Sequence, residues 1–488
     1  MLRRALPSLV ALGLSALLVP VAAAAPGDPV DPAAELSNFT KQQERAPEYL
    51  SPEGLQALTT QGLETFVDSL SDQATDPERF FLADGCWSGS LTCAGDPRLA
   101  RWQENGHGQV REVLFTARNG ATLSGHVWAT RSGPGTRPLV VITNGSVQAP
   151  EQLYWWAAQT LAKAGYVVLT WDAQGQGRSD TLGEGTDMFD SVPSQSTGVT
   201  FYDGSQDALD FALSRPSRPY CPRKSRSGTS HCAKQERRVT EGKASGANPF
   251  WRLVDRGRVG LAGHSYGASG VTWVGNQDQR VDAVVAWDNL CDLTAPSSTG
   301  SSSNGSMPRG CSPGGQGSPK PRVPSLGLSA DYGLVSTPYL QQPDPTSKSG
   351  GSLGFSKAGV DTGELVIRGG THYEFSFIPT PAFGATLRGI DLSAWYTTAW
   401  LDRYVKGDRR ATERLLTTRW RDDPAGAAVD PADDGNLFSR YFRSRLDLGH
   451  DEGRRATCED LRKGCPALSP DRGPRDYSYL TIATAPDR

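Results

Sequence analysis

No charge of either sign dominates this 488-residue chain: Lys+Arg 50 against Asp+Glu 53 leaves a formal −3. A protein whose work is neutralising phosphates is strongly basic, so the balance excludes that class and points to no acidic partner either. Gly 54 and Pro 34 together stay below the ~25–30% that marks a disordered low-complexity chain. Zinc-type spacing is missing too. No Cys-x-x-Cys occurs, and His231 beside Cys232 is the only histidine adjacent to a cysteine. The apolar share of 37% is modest but adequate for a core at this length. Long apolar runs are absent, with one exception at the very start.

That exception is residues 1–25: Arg3 and Arg4, an apolar run from Leu9 to Val21, then Ala22 to Ala25 before Pro26. A positive start, a short apolar run and a small-residue end predict a secretory signal peptide, too short to serve as a spanning helix. No cysteine follows the run to carry a lipid, and Arg3–Arg4 leaves a twin-arginine route open beside the general one. Export agrees with the eight cysteines, which fall into near neighbours. Cys86–Cys93, Cys221–Cys232, Cys291–Cys311 and Cys458–Cys465 are expected to be disulfides that each staple a local loop of a secreted, extracellular protein.

Residues 26–107 read as a helical N-terminal extension. From 108 the texture changes. Val110–Thr116 and Leu123–Thr130 alternate around Asn119-Gly120, a hairpin signal. Short apolar strands follow at Pro138–Thr143, Tyr166–Trp171, Val259–Ala262, Ala283–Trp287, Val323–Leu328 and Glu364–Ile367, separated by helical spacing such as Glu151–Ala164. Buried strands alternating with helices predict an α/β fold, a mostly parallel sheet covered on both faces and opened by a hairpin. The catalytic unit is expected over 108–407, with inserts at 215–256, 292–320 and 333–362 and a C-terminal extension at 408–488, where Asn436–Leu446 alternates enough to add a strand. Ligands sit outside the carboxyl ends of such strands, so the last two inserts should overhang the site and the first should lie away from it.

Gly263-His264-Ser265-Tyr266-Gly267 follows the Val259–Ala262 strand and precedes a helix-compatible run. This is Gly-x-Ser-x-Gly in the strand–turn–helix setting that lifts a serine hydroxyl clear of a sheet. Ser265 is therefore the candidate nucleophile, and a serine needs a base. Of six histidines, His372 alone follows a strand late in the chain, in Arg368-Gly-Gly-Thr-His372. The base needs an orienting carboxylate. Asp331, after the Val323–Leu328 strand, is the first choice, and Asp288, ending the preceding strand, is the alternative. Two backbone donors for an oxyanion are expected at Tyr266 and Ser146, the latter in Asn144-Gly145-Ser146 after its strand. Tyr154, Trp155, Trp156, Tyr332 and Tyr373 either line a groove there or pack the core.

These residues resemble an α/β-hydrolase, and their arrangement is similar to secreted esterases of the dienelactone-hydrolase and bacterial cutinase-like type. The likeness rests on the elbow at 263–267, Asp331, the Gly-x-x-His segment ending at His372, the turn Asp172-Ala-Gln-Gly-Gln-Gly-Arg-Ser179, and Thr397–Lys406, over about residues 108–407. It departs at Asn144, where such proteins often carry a histidine. The resemblance implies a serine hydrolase of small or polymeric carboxylic esters, with no metal, no organic cofactor and no nucleic acid. Alternatives are an exported serine peptidase, for which no acidic pair marks an amine-terminus site, and a non-catalytic binding protein on the same fold.

Overall fold

The structure, a computed structural model, describes residues 30–45, 52–79, 96, 99, 106–133, 135–146, 149–189, 198–295, 311, 317–334, 336–377, 386–420, 435–449, 455–468 and 475–477. The leader 1–25, the Cys86–Cys93 pair and most of the 292–320 insert lie outside those residues. The other three pairs, Cys221–Cys232, Cys291–Cys311 and Cys458–Cys465, are bonded. No described helix is long and apolar enough to cross a membrane.

Two helices come first, α1 (Pro32–Arg45) and α2 (Pro52–Thr75). A hairpin follows, β1 (Gly108–Thr116) and β2 (Thr122–Thr130), paired from Thr116↔Thr122 around Asn119-Gly120. Then strands and helices alternate: β3 (Arg137–Thr143), α3 (Trp155–Lys163), β4 (Val167–Trp171), α4 (Val199–Ala212), α5 (Cys232–Thr240), β5 (Val254–His264), α6 (Tyr266–Gln277) and β6 (Ala283–Trp287). After them run β7 (Ser325–Ala330), α7 (Gly350–Lys357), β8 (Thr362–Ile367), α8 (Leu387–Tyr404) and α9 (Thr412–Leu415). The strands β9 (Thr417–Trp420), β10 (Arg445–Gly449), β11 (Arg455–Cys458) and β12 (Arg475–Tyr477) complete the described chain.

Ten strands form one sheet in the order β1-β2-β4-β3-β5-β6-β7-β8-β10-β11. The six from β4 to β8 run parallel, and the hairpin at one edge and β10–β11 at the other are antiparallel. This is the α/β architecture the sequence predicts. The apolar strands are buried throughout because helices cover both faces. Val140 and Ile142 of β3 join the cluster made with α3 and α8, whereas Leu139 and Val141 join the one made with α4 and α6. The order reverses at β3, flanked by β4 on one side and β5 on the other, and crevices at such reversals bind ligands.

Four segments differ from expectation. The run Glu151–Ala164 starts with a 3-10 turn, Glu151–Tyr154, before α3. The glycine-rich 333–362 insert contains a helix, α7. Two of its glycines serve close packing: a Cβ at Gly351 would sit 2.0 Å from the Leu290 carbonyl oxygen and one at Gly354 2.5 Å from Asp292 Oδ1. Only the end of the 436–446 run is a strand. Tyr441 and Phe442 turn inward against Val366, and the strand β10 begins only at Arg445. Lastly, the 215–256 insert does not stay at the amino ends of the strands. Gln235 of α5 accepts from the Thr116 amide at 2.9 Å and Ser245 N donates to Leu114 O at 2.7 Å, so the insert covers the β1 edge beside the hairpin turn. The part over β1 is set off from β3 laterally by three strand spacings, about 14 Å, whereas the insert's end is already in β5, where Val254 and Asp255 pair with Arg137 and Pro138 of β3.

α2 docks inside out. Asp72 binds Arg79 at 3.0 Å and Arg178 at 2.7 Å and Ser69 is fully buried, while Leu63, Phe66, Val67 and Leu70 stay 50–59% exposed.

Candidate active site

β5 ends at His264 opposite Trp287 of β6, and the next amide, Ser265 N, donates to Trp287 O at 2.9 Å. That register sets Ser265 beside Asp288, each just past its strand. Among the described residues these are the two non-glycines with positive φ, 58° at Ser265 and 36° at Asp288. Such conformations cost about 1–3 kcal/mol each and persist only where the surroundings impose them. At Ser265 the imposition is visible. α6 starts at Tyr266, and the turn after β3 presses so closely that a Cβ at Gly267 would lie 2.3 Å from Asn144 O. Only glycine fits there.

His372 opens a 3-10 turn, His372–Phe375, on the loop after β8. Its Nδ1 donates to Asp288 Oδ2 at 2.6 Å, and both groups are buried. Burial pushes the Asp288 carboxyl up, but the hydrogen bond and charge of His372 outweigh it and hold the group below its ordinary value. The carboxylate at His372 is thus Asp288, the alternative from the sequence, and not Asp331. The reason is local. Asp331 Oδ2 is taken by the Gly369 amide at 2.6 Å, its carbonyl accepts from the Tyr339 hydroxyl, and burial raises its carboxyl to about 6.

His264, the variable residue of the elbow, joins the parts. Its Nε2 donates to His372 O at 2.8 Å and the two rings lie 4.5 Å apart. Its Nδ1 accepts from the Tyr154 hydroxyl at 2.8 Å, which in turn accepts from Gly145 N at 3.1 Å. Burial, then the neighbouring His372, lower its pKa to about 3, so the ring is neutral and its tautomer is set by these bonds. The chain of bonds runs from the turn after β3, through the elbow, to the His372 loop. Tyr154 is therefore part of the frame, a role its sequence context did not reveal.

The Ser146 turn is built against the elbow: a Cβ at Gly145 would lie 3.3 Å from Ser265 Cβ. Asn144 shapes that turn, donating to Ala149 O at 2.8 Å and accepting from Ala173 N at 3.2 Å. Tyr266 provides the first amide of α6, which has no partner inside the helix. Asp172 holds its loop closed, accepting from Glu151 N at 2.7 Å and Arg178 N at 3.0 Å. Trp156 is core, packed 5.3 Å from Trp287, while Tyr373 lies edge-on to His372 at 5.5 Å. Trp155 sits edge-on to His126, whose ring is held by Glu151 at 2.6 Å. Among the described residues no group of three or more His, Cys, Asp or Glu is arranged to hold a metal ion.

No family model matches the chain, and no curated protein matches it.

Proposed function

We propose that the chain is a secreted serine hydrolase of the α/β-hydrolase type that cleaves carboxylic esters through an acyl-enzyme. The observation that carries the reading is the elbow serine at positive φ beside a buried His372–Asp288 pair at 2.6 Å. In this mechanism His372 Nε2 takes the Ser265 proton as Oγ bonds to the ester carbonyl carbon. Asp288 holds Nδ1–H and stabilises the imidazolium. The amides of Tyr266 and Ser146 bind the oxyanion. Collapse breaks the carbon–oxygen bond of the ester, and the leaving alcohol takes the proton from His372. Water then repeats the sequence in place of serine, frees the acid and restores Ser265. The three disulfides suit the oxidising compartment that export would reach.

The test is labelling by a fluorophosphonate probe, with Ser265→Ala beside the wild type, and hydrolysis of p-nitrophenyl acyl esters against aminoacyl and dipeptidyl amides. Labelling lost in Ser265→Ala together with ester turnover is expected. Turnover of amides alone would replace the esterase reading by the peptidase, and a folded wild type that takes no label would replace it by the binding protein.

A further inference from the structure

The N-terminal helix α1 meets the loop after β7 through a buried carboxylate. Among the described residues, Glu35 and Asn38 are the buried positions of α1, at 2% and 6% exposure, and no residue of this helix belongs to either large apolar cluster. Burying a carboxylate is unfavourable unless its oxygens are satisfied. Those of Glu35 are. Oε2 accepts from the Tyr332 hydroxyl at 2.8 Å and the Tyr339 amide at 3.1 Å, and Oε1 accepts from the Tyr441 hydroxyl. Asn38, on the next turn of α1, donates to the same Tyr332 oxygen at 2.8 Å. Tyr339 packs on Tyr332 at 5.5 Å and on Tyr441 at 5.4 Å, closing a cage of three phenols around the carboxylate.

What the cage grips is the loop after β7, and that loop is tied to the loop of His372. Tyr332 N donates to Gly370 O at 3.0 Å, His372 N donates to Gly333 O at 2.9 Å, and Gly369 N donates to Asp331 Oδ2 at 2.6 Å. The His372 amide is thus held by Gly333, the residue after Tyr332, and the loop just before it by Tyr332 and Asp331. We propose that Glu35 is a positioning residue for His372, acting through Tyr332 and Gly333, and that α1 is a strap which holds the base loop in register with Ser265. The inference rests on the serine-hydrolase reading above. It gives Asp331 its work as well: the carboxylate that does not serve His372 directly buckles the two loops together.

The experiment uses the whole exported chain and compares Glu35→Ala, Glu35→Gln and Tyr332→Phe. Glu35→Ala and Tyr332→Phe are expected to lower kcat on a short p-nitrophenyl ester on the order of tenfold, because small misplacement of a reacting group is costly, while KM stays within about twofold. The rate of fluorophosphonate labelling should fall by the same factor. Glu35→Gln keeps an oxygen for the Tyr332 hydroxyl and should restore most of kcat. A folded Glu35→Ala or Tyr332→Phe protein with wild-type kcat overturns the proposal, and so does activity that falls only in step with the folded fraction seen by near-ultraviolet circular dichroism. Should Glu35→Ala fail to fold, Tyr332→Phe, which keeps the ring and its packing, decides alone. Failure of the underlying reading looks different: the wild type itself then turns over no ester or takes no label, or Ser265→Ala keeps ester turnover, whatever the Glu35 variants do.

Discussion

The imidazole of His264 donates from Nε2 to the carbonyl oxygen of His372 at 2.8 Å while its Nδ1 accepts from Tyr154. One neutral ring thus links the elbow to the loop of His372. Removing it should loosen both ends at once. We predict that His264→Leu lowers kcat about 10- to 100-fold with little change in KM, since the base loop loses a tether rather than the substrate a contact. His264→Gln, which retains one of the two bonds, should fall between. Steady-state kinetics on a soluble ester reads the difference, and equal kcat for Leu and wild type would contradict it.

The two aspartates separate cleanly. Asp288→Asn would present a donor to Nδ1 and select the wrong tautomer, so kcat is predicted to drop about a thousandfold or more. Asp331→Asn keeps an oxygen for the Gly369 amide and should retain at least about a tenth of wild-type kcat, because an amide–carbonyl bond replaces a charge-assisted one at a cost of only about 1 kcal/mol. The reverse ranking would restore Asp331 to the base.

A methyl group at position 267 has nowhere to go. Its nearest neighbours are the carbonyl oxygens of Asn144 at 2.3 Å and Thr143 at 2.5 Å, both backbone atoms. Gly267→Ala is predicted to destabilise the fold by about 1–3 kcal/mol and to abolish probe labelling, because the turn after β3 is pushed off the elbow. Urea unfolding midpoints give the first quantity and probe labelling the second.

Glu364 of β8 gives a pH dependence of known sign. It is fully buried, Oε1 accepts from Ser329 at 2.6 Å, and Oε2 has no partner among the described residues. Burial raises its carboxyl to about 8, against the opposing Ser329 bond. The folded state therefore holds a proton that the unfolded chain gives up at an ordinary carboxylate value. That contribution is complete below about 4.5 and is lost as pH climbs toward about 8. Glu364→Gln should leave the melting temperature near that of wild type at pH 5 and raise it at pH 9. Scanning calorimetry at the two pH values checks this, and a wild type that gains on Glu364→Gln at pH 9 would refute it.

The parts that were legible in the sequence are those written in short windows. Short apolar runs mark the strands β3 to β8, and the spacing of two glycines around Ser265 marks the elbow, since tight packing there tolerates nothing larger. The sequence favours Asp331 over Asp288 on weak ground, because both end parallel strands one after the other. What separates them is the Gly369 amide, which captures one, and the path of the loop that brings His372 to the other. Tyr154 was hidden for a similar reason: an aromatic after a strand looks like packing until its hydroxyl is seen between Gly145 and His264. The course of the 215–256 insert followed from side-chain bonds to β1, which no local pattern announces. Least legible of all was α1, whose buried glutamate sits in a helix that reads as polar.

Glu35 and Tyr441 meet across 406 residues of chain. During synthesis the first helix therefore waits for a tyrosine that emerges late. Contacts of such separation form late. On the function proposed above, a polypeptide ending before that point would own its serine, histidine and aspartate and still lack the last phenol around Glu35, so its hydrolysis should be slowed.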